Sequence, residues 1–177
     1  MPPLGSLLLI PLSGEYLMAL TNAPQESVWD YPRPPRLEPT VRHLQVIFAG
    51  EIIADTQRGY RILETSHPPT YYIPPEDVNQ DFLVPSNHRS FCEFKGHASY
   101  VDIAVNDRKA RQAVWYYANP SAPYAAIRHY LSFYASRVDA CFVNGEKVLA
   151  QEGDFYGGWI TREITGPSKG GPGTRGW

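Results

Sequence analysis

Cysteine is scarce in this sequence: Cys92 and Cys141 are the only two among 177 residues. A zinc site made of cysteine alone needs four, and secreted disulfide scaffolds carry more in shorter chains. Two reduced thiols in or near the core are the plain expectation, because free cysteine buries readily. Clustered histidine is lacking as well. His43, His67, His88, His97 and His129 form no i, i+4 pair and no short Cys/His spacing, so no metal and no cofactor is expected. Positive charge is not concentrated anywhere. Sixteen Lys and Arg stand against eighteen Asp and Glu, giving a net charge of -2 and a pI near 6.2. A nucleic-acid partner is not expected, since such domains usually show a basic stripe and a pI above about 9. No polybasic run suggests an anionic membrane surface. No Lys or Arg precedes Arg33, so the apolar start lacks the positive region of a signal peptide. Pro11, Ser13, Gly14 and Glu15 interrupt that start, whereas a membrane span needs about 20 apolar residues. Residues 1–25 read as a flexible apolar extension, and the cytoplasm as the default compartment.

What the chain does have is hydrophobic content, 43 %, with 17 prolines and 14 glycines. That is enough apolar surface for one domain without staples, and the Pro/Gly punctuation implies many short elements. Residues 26–40 form a proline-rich arm, extended because proline fixes φ and restricts its predecessor. Arg33 and Arg36 lie three apart and share a face if the arm is a polyproline helix, as a solvated pair or as a grip for a carboxylate or phosphate. A single β-rich domain follows over 41–165. VRHLQVIFAGEIIADT reads as strand, turn, strand; FCEFKG with ASYVDIAV reads as a hairpin; RQAVWYYAN is a further strand. One helical turn is expected in PPEDVNQDFL, and a short helix between Pro123 and His129. FAGEIIA and VNGEKVL repeat one pattern, either a weak duplication or two similar hairpin turns. Residues 166–177, rich in glycine and proline, form a flexible or surface-hugging strap.

Several stretches are specific: VWDYPRPP at 28–35, RILETSHPPTYYIPPEDV at 61–78, CEFKGHASY at 92–100, WYYANP at 115–120 and VDACFVNGEKV at 138–148. With FYGGWIT and GPSKGGPGTRGW, they give the chain a resemblance to the family of domain of unknown function 427, from about residue 28 to the end. The resemblance implies a compact β domain similar to the β-tent group. That group includes zinc-bearing methionine sulfoxide reductases and the thalidomide-binding domain of cereblon. It often holds zinc through two Cys-x-x-Cys pairs, which are missing here, so packing alone would hold the tent. The family also carries a nucleotidyltransferase-like label. The residues argue against that activity: there is no Asp-x-Asp pair to hold Mg²⁺, and the tail lacks the phosphate-loop order and context.

The strongest constellation of polar and aromatic residues is Arg61, Glu64, His67, Tyr71 and Tyr72. Strand alternation puts Glu64 with Tyr60 and Ile62, and Arg61 on the other face. Glu64 in apolar surroundings would serve as acid or base, or else hydrogen-bond a turn or an arginine. His67 precedes two prolines, which hold it in place for a structural or a catalytic role. Of Tyr71 and Tyr72, one packs and the other presents its hydroxyl to a cavity. Cys92 and Lys95, three apart on a presumed strand, fall on opposite faces, which makes direct thiol activation unexpected. Lys95 is a candidate pocket cation. Trp115 and Tyr117 share a face suited to a planar ligand or to a core. Gly157-Gly158, between Tyr156 and Trp159, lets the backbone approach a ligand or the arm closely.

The expected fold is mainly β: a β-tent-like sandwich or barrel of short antiparallel strands with one or two short helices. The expected function is binding of an unknown small molecule, with Arg61, Tyr71, Tyr72, Lys95, Trp115 and Tyr117 lining an aromatic pocket. An enzyme with Glu64 or His67 as base is the first alternative. A protein-interaction module or homodimer, built on the arm or the strap, is the second.

Overall fold

The computed structural model describes residues 24–177. The extension expected over 1–25 lies outside the described residues, except for its last two. In chain order the strands are β1 (Glu26–Ser27), β2 (Arg36–Thr40), β3 (Leu44–Phe48), β4 (Glu51–Thr56), β5 (Gly59–Leu63) and β6 (Thr70–Tyr72). Three more follow: β7 (Leu83–Cys92), β8 (Gly96–Val105) and β9 (Arg108–Tyr117). Short strands complete the described chain: β10 (Ser132–Phe133), β11 (Ala140–Val143), β12 (Glu146–Lys147), β13 (Leu149–Ala150), β14 (Trp159–Ile160) and β15 (Ile164–Thr165). The domain is mainly β. Its helical segments, among the described residues, are five short 3-10 segments, four of them single turns. Two of them, Pro75–Asp77 and Gln80–Phe82, replace the expected turn in PPEDVNQDFL, and Ala122–Ile127 replaces the short helix expected further on. Runs this brief close i→i+3 bonds more readily than a nucleated α-helix.

One four-stranded sheet has the order β12-β11-β3-β4, and a second the order β10-β9-β8-β7. A three-stranded sheet β2-β5-β6 stands with them, and β13-β14 and β1-β15 form pairs. The β1-β15 pair is parallel; every other strand pairing is antiparallel, and no sheet closes into a barrel. The repeated sequence pattern marks the β3–β4 and β11–β12 turns. Ala49-Gly50 (φ 51° and 77°) and Asn144-Gly145 (φ 50° and 80°) both place two residues at positive φ. That is the twist a two-residue hairpin favours; Gly50, Asn144 and Gly145 tolerate it readily, and Ala49 adopts it at a steric cost.

The β8–β9 ladder shifts register between Val101 and Ile103. Asp102, which the sequence sets among apolar neighbours, accepts a 2.7 Å hydrogen bond from the Gln112 amide there and pairs with Lys109 at 3.4 Å. A carboxylate thus satisfies a backbone donor that the bulge leaves without a strand partner.

The two faces of the β10-β9-β8-β7 sheet bury different chemistry. One face gives Val101, Ile103, Ala110 and Val114 to an aliphatic core shared with Leu44, Val46 and Ile53. The other gives Ala98, Tyr100, Trp115 and Tyr117 to an aromatic cluster with Tyr72, Tyr124 and Tyr134. Neighbouring residues on β6 divide the same way: Tyr71 enters the aliphatic core and Tyr72 the aromatic cluster.

The proline-rich arm is woven into the body. Its start, β1, pairs with β15, and its end, β2, pairs with β5 over five residues. Arg33 and Arg36 do not share a partner: Arg33 faces Glu64 at 3.4 Å, and Arg36 faces Glu38 at 3.4 Å. The C-terminal strap lies against the body. The Lys169 amide donates to the Ser66 carbonyl, and the Trp29 indole donates to the Pro167 carbonyl.

Candidate functional site

A cavity of about 370 Å³ opens against the aromatic cluster. Glu64, His67, Tyr72, Lys95, Trp115 and Tyr117, six of the eight residues selected from sequence, line it. They converge from β6, the β7–β8 turn, β9 and the segment after β5.

Arg61 and Tyr71 are not brought there. Strand alternation turns Arg61 away from Glu64, into a nearly buried ion cluster. Its guanidinium meets Glu26 at 2.9 Å through both terminal nitrogens, and its Nε meets Glu38 at 2.7 Å. Tyr31 donates to the same Glu26 at 2.7 Å. Burial works against the Glu26 charge, but hydrogen bonds from Arg61 and Tyr31 hold its pKa below the ordinary glutamate value. Arg61 is therefore a latch between arm and body. Tyr71 stacks on Trp159 at 5.2 Å, and burial pushes its phenol up to about 12.

His67 is buried, and its environment fixes its protonation. The Gln151 side-chain oxygen accepts from the Gly158 amide at 3.1 Å, and its nitrogen donates to the Lys169 carbonyl at 2.7 Å. Those two backbone partners set the amide's orientation. The same nitrogen therefore donates to His67 Nδ1 at 3.0 Å, which leaves the imidazole proton on Nε2. Burial, followed by the nearby charges of Lys169, Arg33 and Lys95, lowers the His67 pKa to about 4. At neutral pH the ring is an uncharged donor. Its Nε2 lies 3.8 Å from Glu64, whose carboxylate also faces Arg33.

Cys92 and Lys95 are not on opposite faces of one strand. Cys92 ends β7, residues 93–95 form the turn, and Gly96 opens β8 at φ 105°. A turn abolishes the period-two alternation, so both side chains line the cavity. Lys95 lies 5.9 Å from the centre of the Tyr117 ring and makes no ion pair with a carboxylate of the described residues. Burial opposes its charge, but Tyr72, Cys92 and Glu64 hold its pKa above the ordinary lysine value, so it stays an ammonium.

The aromatic wall is tightly held. Trp115 meets Tyr134 at 4.6 Å and Tyr72 edge-on at 6.3 Å. The glycine pair lets the backbone approach the aromatic wall and Gln151 rather than the arm. A side chain at Gly157 would collide with the Trp115 indole, and one at Gly158 would meet the Gln151 side-chain oxygen at 2.6 Å. Sequence reasoning missed Lys169, Tyr134 and Gln151 as parts of the site. The only signal for Lys169 was a lysine inside a glycine-rich strap, and none marked Gln151. No group of three metal-ligating side chains occurs among the described residues, and no helix there is long and apolar enough to cross a membrane.

Fold and site together define a mainly β domain with a buried aromatic cluster beside one cavity. Residues 36–144, more than half of the chain, match the family described as Domain of unknown function (DUF427), and the chain belongs to that family. No curated protein matches it.

Proposed function

We propose that the domain binds a small organic molecule in the cavity beside Trp115 and Tyr117. The observation that carries this reading is the cavity's size and lining. About 370 Å³ lies within the range of small-molecule sites, and aromatic walls with a few convergent polar groups are their usual make-up. Glu64, Lys95 and the His67 Nε2–H are the polar anchors. Two unpaired cysteines fit a reducing compartment such as the cytoplasm.

Catalysis with His67 as base draws less support from this site. A ring with a pKa near 4 and its Nδ1 already occupied is a poor proton acceptor at neutral pH.

Native mass spectrometry of the gently purified protein, set against its denatured mass, tests the binding reading. A reproducible excess mass that is retained by the wild type and lost in Trp115→Ala is expected. A clean apo mass, together with no response to any aromatic probe in solution, would overturn it.

A further inference from the structure

The cavity's three cations are not equally engaged. Arg33, Lys95 and Lys169 line it, together with Glu64, Glu93 and Trp177. Glu64 is engaged by Arg33 at 3.4 Å, and Glu93 sits exposed on the β7–β8 turn, where water solvates it. Lys169 Nζ donates to the Trp177 backbone oxygen at 3.2 Å and lies 5.6 Å from the Tyr156 ring centre. Lys95 has neither a carboxylate nor a hydrogen bond among the described residues, only the face of Tyr117. The Tyr72 hydroxyl, buried in the same wall, has no hydrogen-bond partner either. The tautomer that Gln151 imposes on His67 adds a neutral N–H donor on the Glu64 side. The buried hydroxyl is costly to leave without a partner, and the half-buried Lys95 ammonium is a charge with no counterion beside it. The group that satisfies both is an oxyanion, because it accepts several charge-assisted hydrogen bonds at once. An amine would meet the Lys95 ammonium, the one cation of the lining that no carboxylate or backbone oxygen among the described residues engages. Behind these groups stand Trp115 and Tyr134, whose rings offer a flat apolar surface.

We infer that the cavity takes an organic oxyanion, a carboxylate or a phosphate carried on a planar apolar body, with Lys95 as its charge anchor and Trp115 as its wall. This rests on the small-molecule reading above and narrows it.

The test is a calorimetric titration of the full chain with four probes of one shape: 2-naphthoate, 2-naphthyl phosphate, the neutral 2-naphthamide and the cationic 2-naphthylmethylamine. Inorganic phosphate serves as the body-free control. Binding of at least one anion tenfold or more tighter than the amide is expected, with the tighter anion telling carboxylate from phosphate. Lys95→Met should remove that preference, with anion affinity falling to that of the amide measured on the same variant, and Lys95→Gln serves equally should the first variant fold poorly. Equal affinity for amide and anion, or preference for the amine, overturns the oxyanion and leaves the aromatic cavity standing. Inorganic phosphate binding as tightly as naphthyl phosphate overturns the planar body. No binding by any probe at millimolar concentration overturns both this inference and the small-molecule reading.

Discussion

Gln151 holds His67 in a single tautomer through a 3.0 Å contact from its side-chain nitrogen to Nδ1. Protonating the ring would set two donors against each other, and burial and three cations already push its pKa down to about 4. The ordinary value is 6.5, and the unfolded chain titrates there. The folded value is depressed, so this stabilisation is complete above about pH 6.5 and is lost as pH falls towards 4. The loss should be on the order of 3 kcal/mol over that window. Urea unfolding of wild type and His67→Asn between pH 7.5 and 4.5 checks it. Asparagine keeps an acceptor for Gln151 but does not titrate, so its pH slope should be shallower. Equal slopes would show that His67 is not buried neutral.

Gly157 determines where the Trp115 indole can lie. A methyl group there collides with the ring, and the neighbouring Tyr134 leaves it little room to retreat. Gly157→Ala should cost about 1–3 kcal/mol, the usual penalty for overpacking. It should also alter the near-ultraviolet circular dichroism of the aromatic cluster and weaken probe binding. A variant with wild-type stability and spectrum would mean that the loop carrying Gly157 moves freely off Trp115.

Arg61 joins the arm to the body and should not touch a ligand. Arg61→Met removes the cation between Glu26 and Glu38, leaving them only Arg42 at 3.8 Å and Arg36 at 3.4 Å. Both carboxylates are about a third exposed, so the loss falls below that of a fully buried pair, at about 2 kcal/mol. Urea midpoints measure this, and a double-mutant cycle with Glu26→Gln should show positive coupling. The depressed Glu26 pKa adds a sign: its contribution is complete above the ordinary glutamate value and fades as pH falls through the lower folded one. A variant of unchanged stability that binds probes poorly would return Arg61 to the ligand site.

Legibility followed the range of the interaction. The β3–β4 hairpin, the pairing of β7 with β8 and the strand β9 were readable because alternation and turn residues are local signals, as in the Leu44, Val46, Phe48 series that is buried in full. Tyr71 and Tyr72 were readable as a pair with opposite orientations, though not as to which one faces the cavity. The β7–β8 turn was misplaced by a few residues, and that error alone separated Cys92 from Lys95. Arg61 was correctly put on the opposite face from Glu64, yet its partners Glu26 and Glu38 lie 35 and 23 residues away. No periodicity reports a contact of that range.

By itself the sequence determined a mainly β chain, its family, its principal hairpins and most of the aromatic residues around the cavity. The family follows from the resemblance of its specific stretches, and the rest from period-two burial, turn chemistry and the surplus of large apolar rings. Only the tertiary structure decided that Gln151 and Lys169 meet at His67, that Gly157 abuts Trp115, and that Lys95 is left without a carboxylate. These depend on how segments up to about a hundred residues apart pack against one another, and packing of that kind leaves no local pattern in the chain.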